Sequence, residues 1–250
     1  KIINEFNDTD FDYDKNESLI TIFENTVKAN ANKTAYIFKG QNLTYKELDE
    51  KSNIVANYLI DKGITKNDVI GIMFNRSLNI PISMWGVLKT GAAYMLIDPS
   101  LPQDRINYML TNASAKFVLT NLYINYNSIN IDNILLNEEQ ISKNTLSENS
   151  SKNSSTSEYD SKSKNKDNYK CTLPKVESSN EDRFCINYTS GSTGTPKGVE
   201  LKRLGIINLL NGYKKQIASH ECNTFLSSAT VAFDIFIVEN FVSILDGKTV

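Results

Sequence analysis

The chain has 250 residues, 40% hydrophobic and 10% aromatic, which is ample apolar material for one large domain or two modest ones with a buried core. Its 27 basic and 29 acidic residues leave a net charge of −2 and no clustered basic element, which excludes the electrostatic footprint of a nucleic-acid-binding protein. No apolar run approaches the roughly eighteen residues of a membrane span, and the acidic start through Asp8, Asp10, Asp12 and Asp14 is unlike a signal peptide, so a cytoplasmic location is expected.

From Ser18, an N-cap residue, the spacing of Ile20, Phe23 and Val27 predicts a helix. Residues 35–38 read as a short strand turned by Gly40. Thr44 and Glu47 stand three apart as a capping box, and Tyr45, Leu48, Val55 and Leu59 keep one helical face apolar until Gly63. Strands are expected at 69–74, 93–97 and 117–120, with helices at 78–89, stopped by Gly91, and at 103–110. Asp98-Pro99 turns the chain.

After Ile141 the composition changes abruptly to Ser, Asn, Lys, Asp, Glu and Thr. Such a segment buries too little apolar area to offset an ordering entropy of roughly 1 to 2 kcal/mol per residue, so 142–170 reads as a disordered, low-complexity surface insertion. Beyond it, 184–188 reads as a strand, 199–201 as extended chain, 204–219 as a helix, 224–228 as a strand, 235–245 as a helix and 248–250 as the start of a further strand. The alternation predicts an α/β fold of mainly parallel sheets with flanking helices. The chain begins without methionine and stops inside a pattern, so both ends are expected to be cut from something longer.

Cys171, Cys185 and Cys222 form no metal-ligand spacing and are odd in number, so they read as free thiols, with Cys185 in the core of its strand. His220 is the only histidine, which leaves almost no material for a Ser/His/Asp triad or a histidine metal cluster. The residues name no metal ligand. Chemistry must rest on positioning and charge.

One loop carries that chemistry: Tyr188-Thr189-Ser190-Gly191-Ser192-Thr193-Gly194-Thr195-Pro196-Lys197-Gly198. Glycines at 191, 194 and 198 free the backbone to turn successive N–H groups toward one anion. Thr189, Ser190, Ser192, Thr193 and Thr195 add hydroxyls, and Lys197 adds a mobile charge for a phosphate. Leaving a strand's carboxyl end, the loop sits where open α/β sheets bind ligands. It is not the P-loop of nucleotide triphosphatases: counting from Gly191, Pro196 falls where the second glycine belongs, and Lys197 is followed by Gly198 instead of a hydroxyl residue.

The loop resembles the signature of the adenylate-forming superfamily, which includes acyl-CoA synthetases, luciferases and the adenylation domains of nonribosomal peptide synthetases. Leu43-Thr44-Tyr45-Lys46-Glu47-Leu48 resembles its first core motif, Leu88-Lys89-Thr90-Gly91-Ala92-Ala93-Tyr94-Met95-Leu96-Ile97-Asp98-Pro99 its second and Phe233-Asp234 its fourth, all in the right order. The first motif has a mainly architectural explanation and is assigned no chemistry. Glu5-Phe6-Asn7-Asp8-Thr9 is similar to the connector between a condensation and an adenylation domain, which narrows the resemblance to peptide synthetases. It implies an incomplete N-terminal subdomain: 1–16 as inter-domain connector, 17–141 as a first α/β part, 142–170 as insertion, and 171–250 as a second α/β part carrying the phosphate loop.

The resemblance implies activation of an amino acid by ATP and magnesium as an aminoacyl-adenylate, with release of pyrophosphate. The adenylate then passes to the phosphopantetheine thiol of a downstream carrier domain, with a condensation domain upstream. By motif match, Thr189, Ser190, Gly191, Ser192, Thr193, Gly194, Thr195 and Lys197 hold the β- and γ-phosphates, and Lys197 neutralises the leaving group. Asp234 pairs with the substrate ammonium; read from the residues alone it equally caps the following helix. Ile235 and Val238 line the side-chain pocket. Later motifs and the C-terminal subdomain are expected beyond Val250, which leaves this segment alone inert. Two positions depart from the family pattern: Phe236 stands where serine is usual, and Arg203-Leu204 where His-Arg is usual. Arg203 is expected at a solvated helix start. An acyl- or aryl-CoA ligase and a degenerate docking module are the alternatives.

Overall fold

The computed structural model describes residues 10–135, 169–190, 195–216 and 222–250. The expected connector at 5–9, nearly all of the expected insertion, the loop centre at 191–194 and His220 lie outside them.

Helix α1 (Leu19–Asn30) starts at Ser18, whose Oγ accepts from the Thr21 amide at 3.0 Å. A hairpin of β1 (Thr34–Phe38) and β2 (Gln41–Thr44) follows, turned by Lys39 and Gly40, both at positive φ as such tight turns demand. Strand β2 escaped the sequence pattern because Gln41 and Asn42 are exposed and polar. Helix α2 (Tyr45–Asp61) opens on the expected capping box: Glu47 accepts from the Thr44 amide at 2.8 Å, and Thr44 Oγ1 accepts from the Glu47 amide at 3.2 Å.

The central sheet is built from β3 (Val69–Met73), β4 (Ala93–Leu96), β5 (Phe117–Thr120), β6 (Ser128–Asn130), β7 (Arg183–Thr189) and β8 (Lys197–Lys202). Their order is β6-β5-β3-β4-β7-β8, parallel throughout except for the β7-β8 pair. The mainly parallel α/β fold is therefore as expected. Strand β3 is buried along its whole length, as its unbroken Val-Ile-Gly-Ile-Met run requires of a strand covered on both faces. Period two sorts the side chains: Ile70, Ile72 and Tyr94 join the core beneath the helices α1, α2 and α3 (Asn79–Lys89), while Val69, Met73, Ala93 and Met95 pack under α4 (Gln103–Asn112).

Helices α2 and α3 cross closely at Gly86, where an added Cβ would lie 2.6 Å from Val55 Cγ1. Gly86→Ala is expected to destabilise by about 1 to 2 kcal/mol, overpacking outweighing the gain in helix propensity, and a lowered urea midpoint checks it.

At the end of α3, Lys89 has a fully buried side chain. Its Nζ donates to Asp49 Oδ1 at 2.6 Å, Asn53 Oδ1 at 2.7 Å and Ser52 Oγ at 2.8 Å, and it lies 5.1 Å from the centre of the Phe23 ring. The second core motif thus begins as architecture: Lys89 ties α3 to α2, and Gly91 turns the chain at φ +85°. Desolvation pulls Lys89 down to about 8 from 10.5 against the opposing attraction of Asp49. Between those values the unfolded chain holds a proton that the native protein has released. Stability is therefore expected to rise with pH across that window, and Lys89→Met to remove that part of the slope in urea titrations.

The C-terminal third holds α5 (Arg203–Gln216), α6 (Asp234–Ile237), a π turn (Val238–Val242) and α7 (Ser243–Leu245), the last three running on as one helical stretch. The expected strand at 224–228 is corrected. It amounts to a single parallel bridge between Thr224 and Thr249. The carbonyls of Ser227 and Ala229 accept from Arg76, and the amides of Ser228 and Ala229 donate to Glu239, so these backbone groups bond side chains instead of a neighbouring strand. Residues 248–250 are extended, Val250 bonding Ala35 and Ile37 of β1 while Thr249 bonds Asn223 and Phe225.

Candidate functional site

The glycine-rich loop connects β7 to β8 as a hairpin. The apolar run Phe184-Cys185-Ile186 buries β7 in the sheet, and the register pairs Thr189 with Lys197, which sets the loop's first hydroxyl residue and its lysine opposite one another. Thr189, Ser190, Thr195 and Lys197 are all exposed, as ligand-binding groups must be. Gly191, Ser192, Thr193 and Gly194 lie outside the described residues.

The reading of Gly198 is corrected. It sits in β8 opposite Tyr188 without positive φ, and an added Cβ would lie 3.1 Å from Tyr188 Cζ and 3.2 Å from Ile186 Cγ2. Glycine serves there for close packing of the tyrosine ring. Tyr188 in turn donates to Asn112 Oδ1 at 2.6 Å, with Met109 O at 3.1 Å, and so fastens the root of the loop to the end of α4.

A cleft of about 480 Å³ opens at the carboxyl ends of β4 and β7. Thr189 and Ser190 form part of one wall, and Thr230, Phe233 and Asp234 another. The start of the phosphate loop and the candidate substrate carboxylate, far apart in sequence, therefore share one cavity. Its position between strands that lead the chain in opposite directions across the sheet is where α/β folds take ligands.

Asp234 is exposed. It is the first residue of α6, with Phe233 as the N-cap, and its Oδ1 accepts from the Ile235 amide at 2.9 Å. Oδ2 has no protein donor among the described residues. Ile235 is 56% exposed beside it, and Val238 is half-buried against the main core; neither lines the described cleft.

The family description "AMP-binding enzyme" matches residues 23–250. The chain belongs to that family. Gramicidin S synthase 2 of Brevibacillus brevis is 35% identical over 250 residues, which cover 100% of this chain and 5% of that relative. Among solved structures, the AMPPNP-bound form of the nonribosomal peptide synthetase FmoA3 aligns with a TM-score of 0.79 at 21% identity, over 98% of this chain and 24% of its own. The N-terminal subdomain of Klebsiella oxytoca NpsA in complex with 3-hydroxyanthranilyl-AMSN aligns at 0.69 and 22% identity, over 93% of this chain and 52% of its own. The chain spans 5% of the gramicidin synthase, 24% of FmoA3 and 52% of the NpsA chain, and its fold is that of the N-terminal subdomain of an adenylation domain.

In this member of the family Arg203 is buried, which corrects the expected solvated helix start. Its Nη2 donates to Leu88 O at 3.0 Å and Ala92 O at 3.3 Å, and its Nε lies 3.4 Å from Arg183 O. Desolvation pulls it down to about 10, with Asp182 opposing, so the guanidinium stays charged at neutral pH and its donors meet carbonyls at the negative end of α3. Phe236 is buried as well. It lines a separate cavity of about 280 Å³ beside Arg76 and Tyr36, so this departure from the family pattern does not touch the cleft.

Three cleft or near-cleft residues had no motif to mark them. Among the described residues Arg105, at the start of α4, is the one cation lining the cleft, and its buried Nε has no hydrogen-bond partner among them. Arg76 follows β3 in an unpatterned loop. Glu239 did leave a signal: it is the only charged residue in the apolar run from Ile235 to Leu245.

Proposed function

We propose that this chain is the nucleotide-grasping part of an adenylation domain that activates an amino acid as its aminoacyl-adenylate in nonribosomal peptide synthesis. One observation carries the reading: the cleft that joins Thr189 and Ser190 to Asp234 at the strand ends. With Thr189 and Ser190 read as phosphate ligands and Asp234 as the ammonium ligand, the shared cavity supports a reaction between a nucleotide and an amino acid, which needs both held in one space.

In the proposed reaction a substrate carboxylate oxygen bonds to the α-phosphorus of ATP, and the bond from that phosphorus to the bridging oxygen breaks. Pyrophosphate leaves with the electron pair. Negative charge grows on the leaving group, so donors aimed there lower the barrier more than they tighten ground-state binding. Thr189, Ser190 and Thr195, with Gly191, Ser192, Thr193 and Gly194 between them, hold the β- and γ-phosphates, and Lys197 meets the developing charge. Magnesium, when bound, would offset part of the charge that grows on the leaving pyrophosphate. Asp234 holds the ammonium through its free oxygen, and Ile235 and Val238 contribute to the side-chain pocket. The adenylate goes to the phosphopantetheine thiol of a carrier domain, with a condensation domain preceding this one.

The test is amino-acid-dependent exchange of labelled pyrophosphate into ATP by the complete protein. Exchange with one or a few amino acids is the expected result. Exchange with fatty or aryl acids alone would reduce Asp234 to a helix-end residue, and none with any acid would mark a docking module. Asp234→Asn is expected to raise the amino-acid KM about tenfold or more while the KM for ATP stays within about twofold, since only the ammonium contact is weakened.

A further inference from the structure

The segment 226–232 leads directly into Asp234, yet it belongs to no strand or helix. Among the described residues, every hydrogen bond that ties it to another element comes from three side chains. Arg76, on the loop after β3, donates one guanidinium nitrogen to Ser227 O and the other to Ala229 O. Glu239 accepts from Ser227 Oγ at 2.9 Å, from the Ala229 amide at 3.2 Å and from the Ser228 amide at 3.3 Å. Asn240 donates to Ser227 Oγ at 3.1 Å and to Phe236 O at 2.9 Å.

The segment is thus gripped from two sides. Arg76 fixes it to the sheet, and Glu239 and Asn240 fix it to the helical stretch that begins at Asp234. Glu239 and Asn240 are adjacent in sequence and lie inside the π turn; widening the helix there is a recurrent device at functional sites. Phe236, the departure from the family pattern, completes the grip: the Arg76 guanidinium carbon lies 5.7 Å from the centre of its ring. A serine at 236 would offer no aromatic face to the cation. Arg76 itself stays largely exposed, held by carbonyls and the ring instead of a carboxylate.

We propose that Arg76, Glu239 and Phe236 are positioning residues that set the place of Asp234 and so the affinity for the amino acid, without touching it. The inference rests on the reading of Asp234 as the ammonium ligand. It predicts a kinetic signature that general loss of stability does not produce: the amino-acid KM moves while the KM for ATP and the thermal midpoint hold.

In the complete protein, Arg76→Ala is expected to raise the amino-acid KM in the exchange assay about tenfold, with the KM for ATP within about twofold of wild type. Arg76→Lys is expected to fall between, because an ammonium cannot fork to two carbonyls or lie flat on a ring. Glu239→Ala is expected to behave like Arg76→Ala, and the double variant to lose less than the product of the two, since both release the same segment. Should Arg76→Ala not accumulate as folded protein, Arg76→Lys and Glu239→Gln carry the same test. An unchanged amino-acid KM, or a parallel loss in both KM values and the thermal midpoint, overturns the clamp and leaves the proposed function intact. Absence of wild-type exchange with any amino acid overturns both.

Discussion

Lys197→Ala in the complete protein is expected to lower amino-acid-dependent pyrophosphate exchange by about two to three orders of magnitude, the loss typical when one donor to a developing charge is removed. The side chain stands at the first position of β8, exposed, paired across the hairpin with Thr189, and in no ion pair among the described residues. Its charge is therefore available to a ligand. Since it packs against little, the folded state should hardly notice: a stability change within about 0.5 kcal/mol is expected, as for other exposed positions. Separate measurement of exchange rate and urea midpoint checks both halves. Lys197→Arg should retain part of the activity, because the charge survives while the reach and geometry change. Retention of full exchange by the alanine variant would falsify the role given to the loop.

Arg203→Ala should show the opposite signature, a loss of about 2 to 4 kcal/mol in unfolding free energy. Truncation removes the guanidinium donor from Ala92 O and from Leu88 O, which keeps its bond from the Gly91 amide, and leaves a cavity the size of a long side chain. Removing a desolvated charge recovers some of this, which is why the figure stays below the cost of splitting a buried ion pair. Arg203→Met fills most of the volume and isolates the hydrogen-bond part, so it should lose less. Urea midpoints for the two variants, compared at fixed protein concentration, test the ordering. Because the guanidinium holds the end of α3 against the start of β4, any loss of exchange should follow the loss of folded protein, with both KM values unchanged in the fraction that remains native.

The departures from the family pattern are read differently once their surroundings are known. Where a histidine-arginine pair is usual this chain has Arg203-Leu204, and Arg203, expected at a solvated helix start, is a structural lock between α3 and the turn into β4. Phe236, where serine is usual, faces Arg76 and a separate cavity. Neither substitution argues for a chain that has lost its nucleotide.

Local signals were legible in the residues because their causes lie within a few positions of one another. Ser18 and the Thr44/Glu47 pair cap helices through bonds three residues long, Gly40, Gly63 and Gly91 turn the chain where positive φ is needed, and the apolar run of β3 announces a strand covered on both sides. The glycine-rich loop and its lysine were equally local, and so was the expectation that they leave a strand. What the chain alone could not reveal were the meetings between distant segments. Gly198 proved a packing glycine because Tyr188 faces it across the hairpin, and in residues 224–228 the Ser227 carbonyl and the Ser228 amide bond Arg76 and Glu239 instead of a neighbouring strand. Arg203 went inward because carbonyls at the end of α3 and in the turn before β4 await it there. Periodicity and capping record short-range geometry, whereas burial, pairing and shared cavities depend on which elements come to rest side by side, and only the assembled sheet brought Thr189 and Asp234 to the walls of the same cleft.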